Sequence, residues 1–268
     1  LSPFTIFDVI NMVICAGGVP IFADVDKHTI TINLENIKTC YTPDVAGILI
    51  THNHQINKDI DDIIKFKNDK NIFLIEDCAI SFGTMHKNKF IGTLGDISFY
   101  SFGIFKFVSS LNGGFIITNN KNCFDIIKNI TSAFANPNIL VLFKNFFKAT
   151  FIILFTQRFF FKYFVSYIVR LGYLYNIKFI NNFAKNDPKV KKVQFLPNNY
   201  KIKISNHQAL TIIKQLDFYS INHCIRKKNA EIYYNELKDV KEISIPIYKN
   251  NTSDGWINFP IQYENRDD

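Results

Sequence analysis

The chain has 268 residues, 31 Lys and Arg against 23 Asp and Glu, a formal net charge of +8 and an apolar fraction of 47%. That length supports a sizeable core and one or two domains. Cys15, Cys40, Cys78, Cys123 and Cys224 show no C-x-x-C spacing, which argues against a zinc site or a disulfide framework and fits a reducing cytoplasm. No zinc-finger, RNA-binding or long basic run accompanies the positive charge, so nucleic acid is not indicated, and an anionic substrate or membrane surface suits the charge better.

In chain order, residues 7–15 read as a helix stopped by Gly17-Gly18. Residues 19–24, 46–51, 72–76, 97–101 and 114–118 are short apolar runs of strand length, and 59–67 carries Ile60, Ile63 and Ile64 at helical spacing. Strands buried on both faces and linked by helices predict an α/β fold with a mostly parallel sheet. Beyond residue 198, Ser205 is placed to cap a helix through Ala209, Leu210, Ile213 and Leu216. A second helix is expected over 221–237 and a strand over 242–248, giving a mixed α+β small domain.

The chemistry concentrates between residues 72 and 117. One strand ends in Glu76-Asp77, a second delivers Ser101, and Lys106 follows in an aromatic setting. These are the parts that pyridoxal 5′-phosphate needs. A lysine amine condenses with the cofactor aldehyde. A carboxylate keeps the pyridine nitrogen protonated so that the ring acts as an electron sink. A hydroxyl and backbone amides hold the phosphate. Asp77 falls at the carboxyl end of its predicted strand, where such sheets bind ligands.

Taken in order, Ser2-Pro3-Phe4-Thr5, the run from Ala16-Gly17-Gly18 to Asp24-Val25-Asp26, Thr51-His52, Glu76-Asp77, Gly92-Thr93-Leu94-Gly95-Asp96, Ser101, Lys106 and Gly113-Gly114 resemble the DegT/DnrJ/StrS sugar aminotransferases. Those are fold-type-I pyridoxal phosphate enzymes. Weaker echoes are Lys203-Ile204-Ser205-Asn206-His207-Gln208-Ala209 and Arg266-Asp267. The resemblance implies that Lys106 carries the cofactor, Asp77 pairs with its ring nitrogen and Ser101 binds its phosphate. Ile80 would cover the ring, Thr5 would sit nearby, and no metal is needed. It also implies transfer of an amino group, from glutamate, to a nucleotide-linked keto-sugar for surface polysaccharide or glycan synthesis. A cytoplasmic homodimer is implied as well, with Lys201 or Lys203 reaching the neighbouring subunit's phosphate.

Three departures stand out. Ile80 replaces a polar ring neighbour, Gln55 replaces a turn glycine, and apolar residues flank Lys106. They favour a rival reading, a catalytically silent relative serving as a membrane-attached binding or scaffold protein. Family members run past both ends of the match, so the chain is expected to be a fragment. It would comprise a large cofactor-binding domain over 1–135, a helical insert over 136–180 and a small domain over 181–268.

That insert has no counterpart among the family's motifs. It is crowded with Phe, Ile and Leu, and its longest uncharged run, 149–157, is too short to cross a bilayer. On one continuous helix at about 100° per residue, Lys144, Lys148, Arg158, Lys162 and Arg170 fall within an arc of about 120°. The pattern fits a helix lying in the membrane interface through 139–175, on the inner face. A buried inter-domain helix and an oligomer contact are the other readings.

Overall fold

The computed structural model describes residues 1–53, 56–184, 192–245 and 254–263. By compactness the chain divides into two units, Leu1–Asn136 with Pro197–Asp268, and Pro137–Leu196. The expected small domain therefore shares a unit with the large one from Pro197 onward, while the residues just before it go with the insert.

In the first unit, α1 (Phe7–Cys15) precedes an extended segment. The strand expected over 19–24 does not form. Among the described residues its backbone pairs with main chain only at Leu1, which donates its amine to Ile21 O at 2.8 Å and accepts the Ala23 amide at 3.0 Å. An isolated bridge then joins Val25 to Ile32. Without a neighbouring strand among the described residues, apolar composition alone does not make a ladder. A short helix, α2 (Leu34–Cys40), forms where Asn33 caps it by accepting the Asn36 amide at 2.7 Å.

β1 (Gly47–Thr51), α3 (Ile60–Lys70), β2 (Phe73–Asp77), a hairpin of β3 (Met85–His86) and β4 (Lys89–Phe90), β5 (Ile97–Ser101) and β6 (Gly114–Thr118) follow. The sheet runs β1-β2-β5-β6, with β1, β2 and β5 parallel and β6 antiparallel to β5. Side chains alternate across it. Ile48, Ile50 and Leu74 point into a core completed by Ile37, Ile60 and Ile63 of the flanking helices. The opposite face carries Leu49, Ile75 and Ile97, which line a groove of about 650 Å³ toward the amino ends of the strands.

Glu76 lies on the core face, paired in register with Ile50, and is fully buried. A buried carboxylate is tolerated only when its lone pairs are filled, and here they are. Oε2 accepts His52 Nε2 at 3.1 Å and the Gly92 amide at 2.9 Å. Oε1 accepts the amides of Leu94 at 2.9 Å and Gly95 at 2.6 Å. Gly92 has φ +90°, and a Cβ there would lie 2.2 Å from Tyr100 Oη. A Cβ at Gly95 would lie 2.7 Å from Leu74 O. The Gly-x-x-Gly spacing thus wraps the backbone around the carboxylate. Asp96 completes the turn by accepting the Leu74 amide at 2.7 Å and the Lys67 ammonium at 2.7 Å, which ties α3 to the sheet.

Helix α4 (Lys121–Ser132) follows β6 and was not legible beforehand. In the insert, α5 (Ile139–Thr156) ends at Gln157, whose ψ of 140° interrupts the helix. The chain restarts as α6 (Arg158–Phe160), passes through a π turn (Phe161–Val165) into α7 (Ser166–Leu174), and reaches α8 (Lys178–Ala184). The single continuous helix expected across 144–170 is therefore two. A Cβ at Gly172 would lie 2.5 Å from Ile180 Cγ2, so only glycine lets α8 approach α7 this closely.

After Pro197, α9 (Asn206–Leu216) begins with a complete capping box between Ser205 and Gln208, and α10 (Tyr219–Leu237) follows. The strand expected over 242–248 appears as β7 (Ile243–Ser244) paired antiparallel with β8 (Gln262–Tyr263); its later part lies outside the described residues.

Gly92→Ala is expected to cost about 2–4 kcal/mol, because an L-residue at φ +90° meets the Tyr100 hydroxyl. Urea denaturation measures it; a loss under about 0.5 kcal/mol would mean that the turn around Glu76 relaxes freely.

Candidate active site

Adjacent residues of one strand face opposite ways, so the acidic pair at the end of β2 splits. Glu76 enters the core and Asp77 emerges on the other face, beside Thr51 of β1 and Phe99 of β5. Ser101 lies on that same face, one pleat further along β5. Asp77 is only 3% exposed. Its Oδ1 accepts the Ala79 amide at 3.0 Å, which fixes the carboxyl plane. Burial pushes the Asp77 carboxyl above the usual carboxylate range, against the pull of the Ala79 amide, Lys106 and His52.

Lys106 sits in the loop after β5. Its amide donates to Gly103 O at 3.0 Å, and the Gly103 amide donates to Ser101 Oγ at 3.3 Å. A Cβ at Gly103 would stand 3.6 Å from Ser101 Oγ and 3.7 Å from Lys106 Cγ, so the hydroxyl and the lysine stem flank one backbone position. Burial lowers the Lys106 ammonium pKa, and Asp77 partly opposes this. Ammonium and carboxylate thus feel each other, yet among the described residues they do not close into a salt bridge.

The loop is clamped by residues the sequence reading did not assign. Gln215 of α9 accepts the Ser109 amide at 3.0 Å and donates to Ser109 O at 2.7 Å. Gln208 Nε2 donates to Ser110 O at 3.1 Å and to Asn112 Oδ1 at 2.6 Å. Gly113, at φ +94°, lies against Ile204. Phe102 and Phe107 pack with Ile212, Phe115 and Tyr219, and the Arg226 guanidinium stands 5.0 Å over the Phe107 ring. Ser205 and the apolar spacing after it signalled that α9 begins there; that Gln208 completes a capping box and that the helix's glutamines reach back to the lysine loop needed the fold.

Thr5 lies next to this end of the sheet, because Asn53 Nδ2 donates to Phe4 O at 3.3 Å beyond the carboxyl end of β1. Ile80 is half-buried in the turn after Asp77, which the Ser81 amide closes on Cys78 O at 3.2 Å. Lys203 is drawn elsewhere: its ammonium donates to Ser132 O at 2.7 Å, at the carboxyl end of α4. Gln55 and Arg266-Asp267 lie outside the described residues.

Three polar atoms at this end of the sheet, Thr5 Oγ1, Thr51 Oγ1 and His52 Nδ1, are buried without a hydrogen-bond partner among the described residues. His52, Glu76 and Cys78 also gather within 4.8 Å. The Glu76 oxygens, however, already take four donors. Burial and the Glu76 charge push the Cys78 thiol pKa up, keeping it protonated. Burial pushes the Glu76 carboxyl up too, but His52 and the amides of Gly95 and Gly92 outweigh it and hold it below the usual range. The trio serves structure rather than a cation.

The fold is the one that solved aminotransferase structures share. Helicobacter pylori PseC, an aminotransferase involved in pseudoaminic acid biosynthesis, superposes with a TM-score of 0.68 at 14% identity, over 99% of this chain and 58% of that one. The chain belongs to the DegT/DnrJ/EryC1/StrS aminotransferase family, whose model matches residues 1–140. Among curated relatives, it is 34% identical to the GDP-perosamine synthase of Escherichia coli O157:H7 over 116 residues, 43% of this chain and 32% of that protein. It is 29% identical over 127 residues to the spore coat polysaccharide biosynthesis protein SpsC of Bacillus subtilis, 47% of this chain and 33% of that one. The chain thus aligns with about a third of the length of these relatives.

The raised Asp77 pKa has a consequence for stability. The ionised form is disfavoured in the fold, so the stability tied to this group is present at acid pH and is lost as pH rises through the folded-state pKa. Asp77→Asn is therefore expected to raise the melting temperature of the cofactor-free chain at neutral pH, with the gain shrinking toward about pH 4. Thermal melts across that range check it; an Asn variant less stable at neutral pH would show that the carboxylate is well paired in the fold.

Proposed function

We propose that this chain is the cofactor-holding part of a pyridoxal 5′-phosphate-dependent aminotransferase that acts on a nucleotide-linked keto-sugar. One observation carries the reading: Asp77 is buried at the carboxyl end of β2 on the same sheet face as Ser101, onto whose hydroxyl the Lys106 loop folds back, at the strand end where such sheets take ligands. The orphaned hydroxyls of Thr5 and Thr51 and the imidazole Nδ1 of His52 agree with a polar group belonging there.

The residues fit the cofactor. Lys106 would supply the amine that holds its aldehyde, Asp77 the carboxylate for its ring nitrogen, Ser101 a phosphate donor and Ile80 an apolar cover. When bound, the cofactor supplies an electron sink through which an amino group passes from an amino acid to a ketone. The chain's own part is positional and protonic. Lys106, with its pKa lowered by burial, reaches its neutral form more readily and so can take and return a proton at the reacting carbon. Asp77, held by the Ala79 amide, would keep a proton on the ring nitrogen. Phe102 and Phe107, both buried, keep water from the lysine loop.

The substrate class follows the relatives: one makes GDP-perosamine, and another belongs to spore coat polysaccharide biosynthesis. Glutamate as donor, a role in surface glycan synthesis, a cytoplasmic setting and a homodimer with shared sites belong to the same proposal.

The test is the visible absorption spectrum of the purified protein with added pyridoxal phosphate, beside Lys106→Ala. A band for lysine-bound cofactor that changes on adding glutamate and is missing in the variant is expected. Turnover should vanish in Lys106→Ala and fall by about 10²–10³-fold in Asp77→Asn. The absence of any band in excess cofactor would overturn the reading and favour a catalytically silent relative, as the apolar Ile80 would then suggest.

A further inference from the structure

We propose that the helical unit Pro137–Leu196 docks on an anionic lipid membrane, lying in its interface rather than crossing it. Three observations meet here. The first is exposure: Leu140, Phe143, Phe146, Phe147, Ile153 and Leu154 of α5 are each about half exposed or more. With Ile139 at zero and about 100° per residue, those six, Ile139 itself and the exposed Phe151 fall within an arc of about 160°, while the exposed Val141 stands apart near 200°. Asn145, Ala149 and Thr156 occupy the opposite side, and Ala149 is the helix's buried residue. The apolar face is thus directed away from the unit's own contacts.

The second is charge. From residue 137 to 186 there is no Asp or Glu, while Lys144, Lys148, Arg158, Lys162, Arg170, Lys178 and Lys185 all occur; the unit's acid is Asp187, beyond the helices. An uninterrupted cationic stretch complements a surface of phosphate headgroups and repels a second copy of itself. The third is the break at Gln157. It divides the segment into α5 and the run from α6 to α7, and the second of these exposes Tyr163, Tyr167 and Tyr173. Tyrosines of this kind favour the headgroup level.

α5 has 18 residues and, by length and composition, could cross a bilayer. Lys144 and Lys148 stand in its central turns, where a crossing helix would bury both charges in hydrocarbon at high cost. Lying flat, the same lysines sit at one edge of the apolar arc, at about 140° and 180°, and extend to the headgroups along their own apolar stems. The geometry therefore favours the interface.

The experiment is co-sedimentation of the full chain with phosphatidylcholine vesicles, with and without phosphatidylglycerol, alongside light scattering of the free protein. Binding at least about tenfold stronger to the anionic vesicles, weakened by salt, is expected. Lys144→Gln with Lys148→Gln should lower it about tenfold or more, and Phe147→Ser with Leu154→Ser should lower binding to both vesicle types. All four side chains are exposed, so these variants keep the fold. Equal binding to neutral vesicles with retention at high salt would mean insertion and would overturn the proposal. So would no binding accompanied by a discrete dimer lost in Phe147→Ser with Leu154→Ser, which would assign this face to a second copy.

Discussion

Glu76 is a carboxylate with no access to water, and the region around the site is arranged to make that tolerable. Its four hydrogen bonds draw in the end of β1 through His52 and the turn over residues 92–95 through Gly92, Leu94 and Gly95. Each partner would be hard to replace, because an unfilled lone pair on a buried charge is expensive. Alternation along β2 then leaves Asp77 on the other face with no choice of direction. Strand alternation thus decides which face the Asp77 carboxylate takes, and the Ala79 amide then fixes its plane.

Lys106 is positioned by a different device. Its loop has no regular hydrogen-bonding pattern, so the glutamines of α9 supply one from outside, and the aromatic cluster of Phe102, Phe107, Phe115 and Tyr219 closes over it. The two halves of the proposed chemistry therefore rest on separate supports, the sheet for Asp77 and α9 for Lys106. The space between them is set by how those supports pack.

The parallel sheet was readable from its apolar runs, since strands buried on both faces leave a continuous signature, and the order and spacing of Asp77, Ser101 and Lys106 are what single them out as candidates. The run at 19–24 has the same composition but no strand beside it, so pattern alone overstates it. Helices α2 and α4 were missed because one is short and depends on its Asn33 cap, and the other buries none of its residues. The split roles of Glu76 and Asp77 were implicit in strand periodicity, yet only the turn over residues 92–95 reveals which acid is structural. In the insert, the basic pattern was visible, but the break at Gln157 was not, because a non-helical ψ at a single glutamine leaves no mark in composition.

The clamp on the lysine loop joins positions separated by 106 residues at Ser109 and Gln215, and by 98 at Ser110 and Gln208. Contacts that distant close late, because the intervening chain must first surrender its freedom. The sheet and its buried glutamate can assemble from the first half of the chain, whereas the lysine stays an ordinary flexible side chain until α9 has been made and docked. During synthesis on the ribosome, the amine that would hold the cofactor is thus the last part of the site to acquire a fixed address.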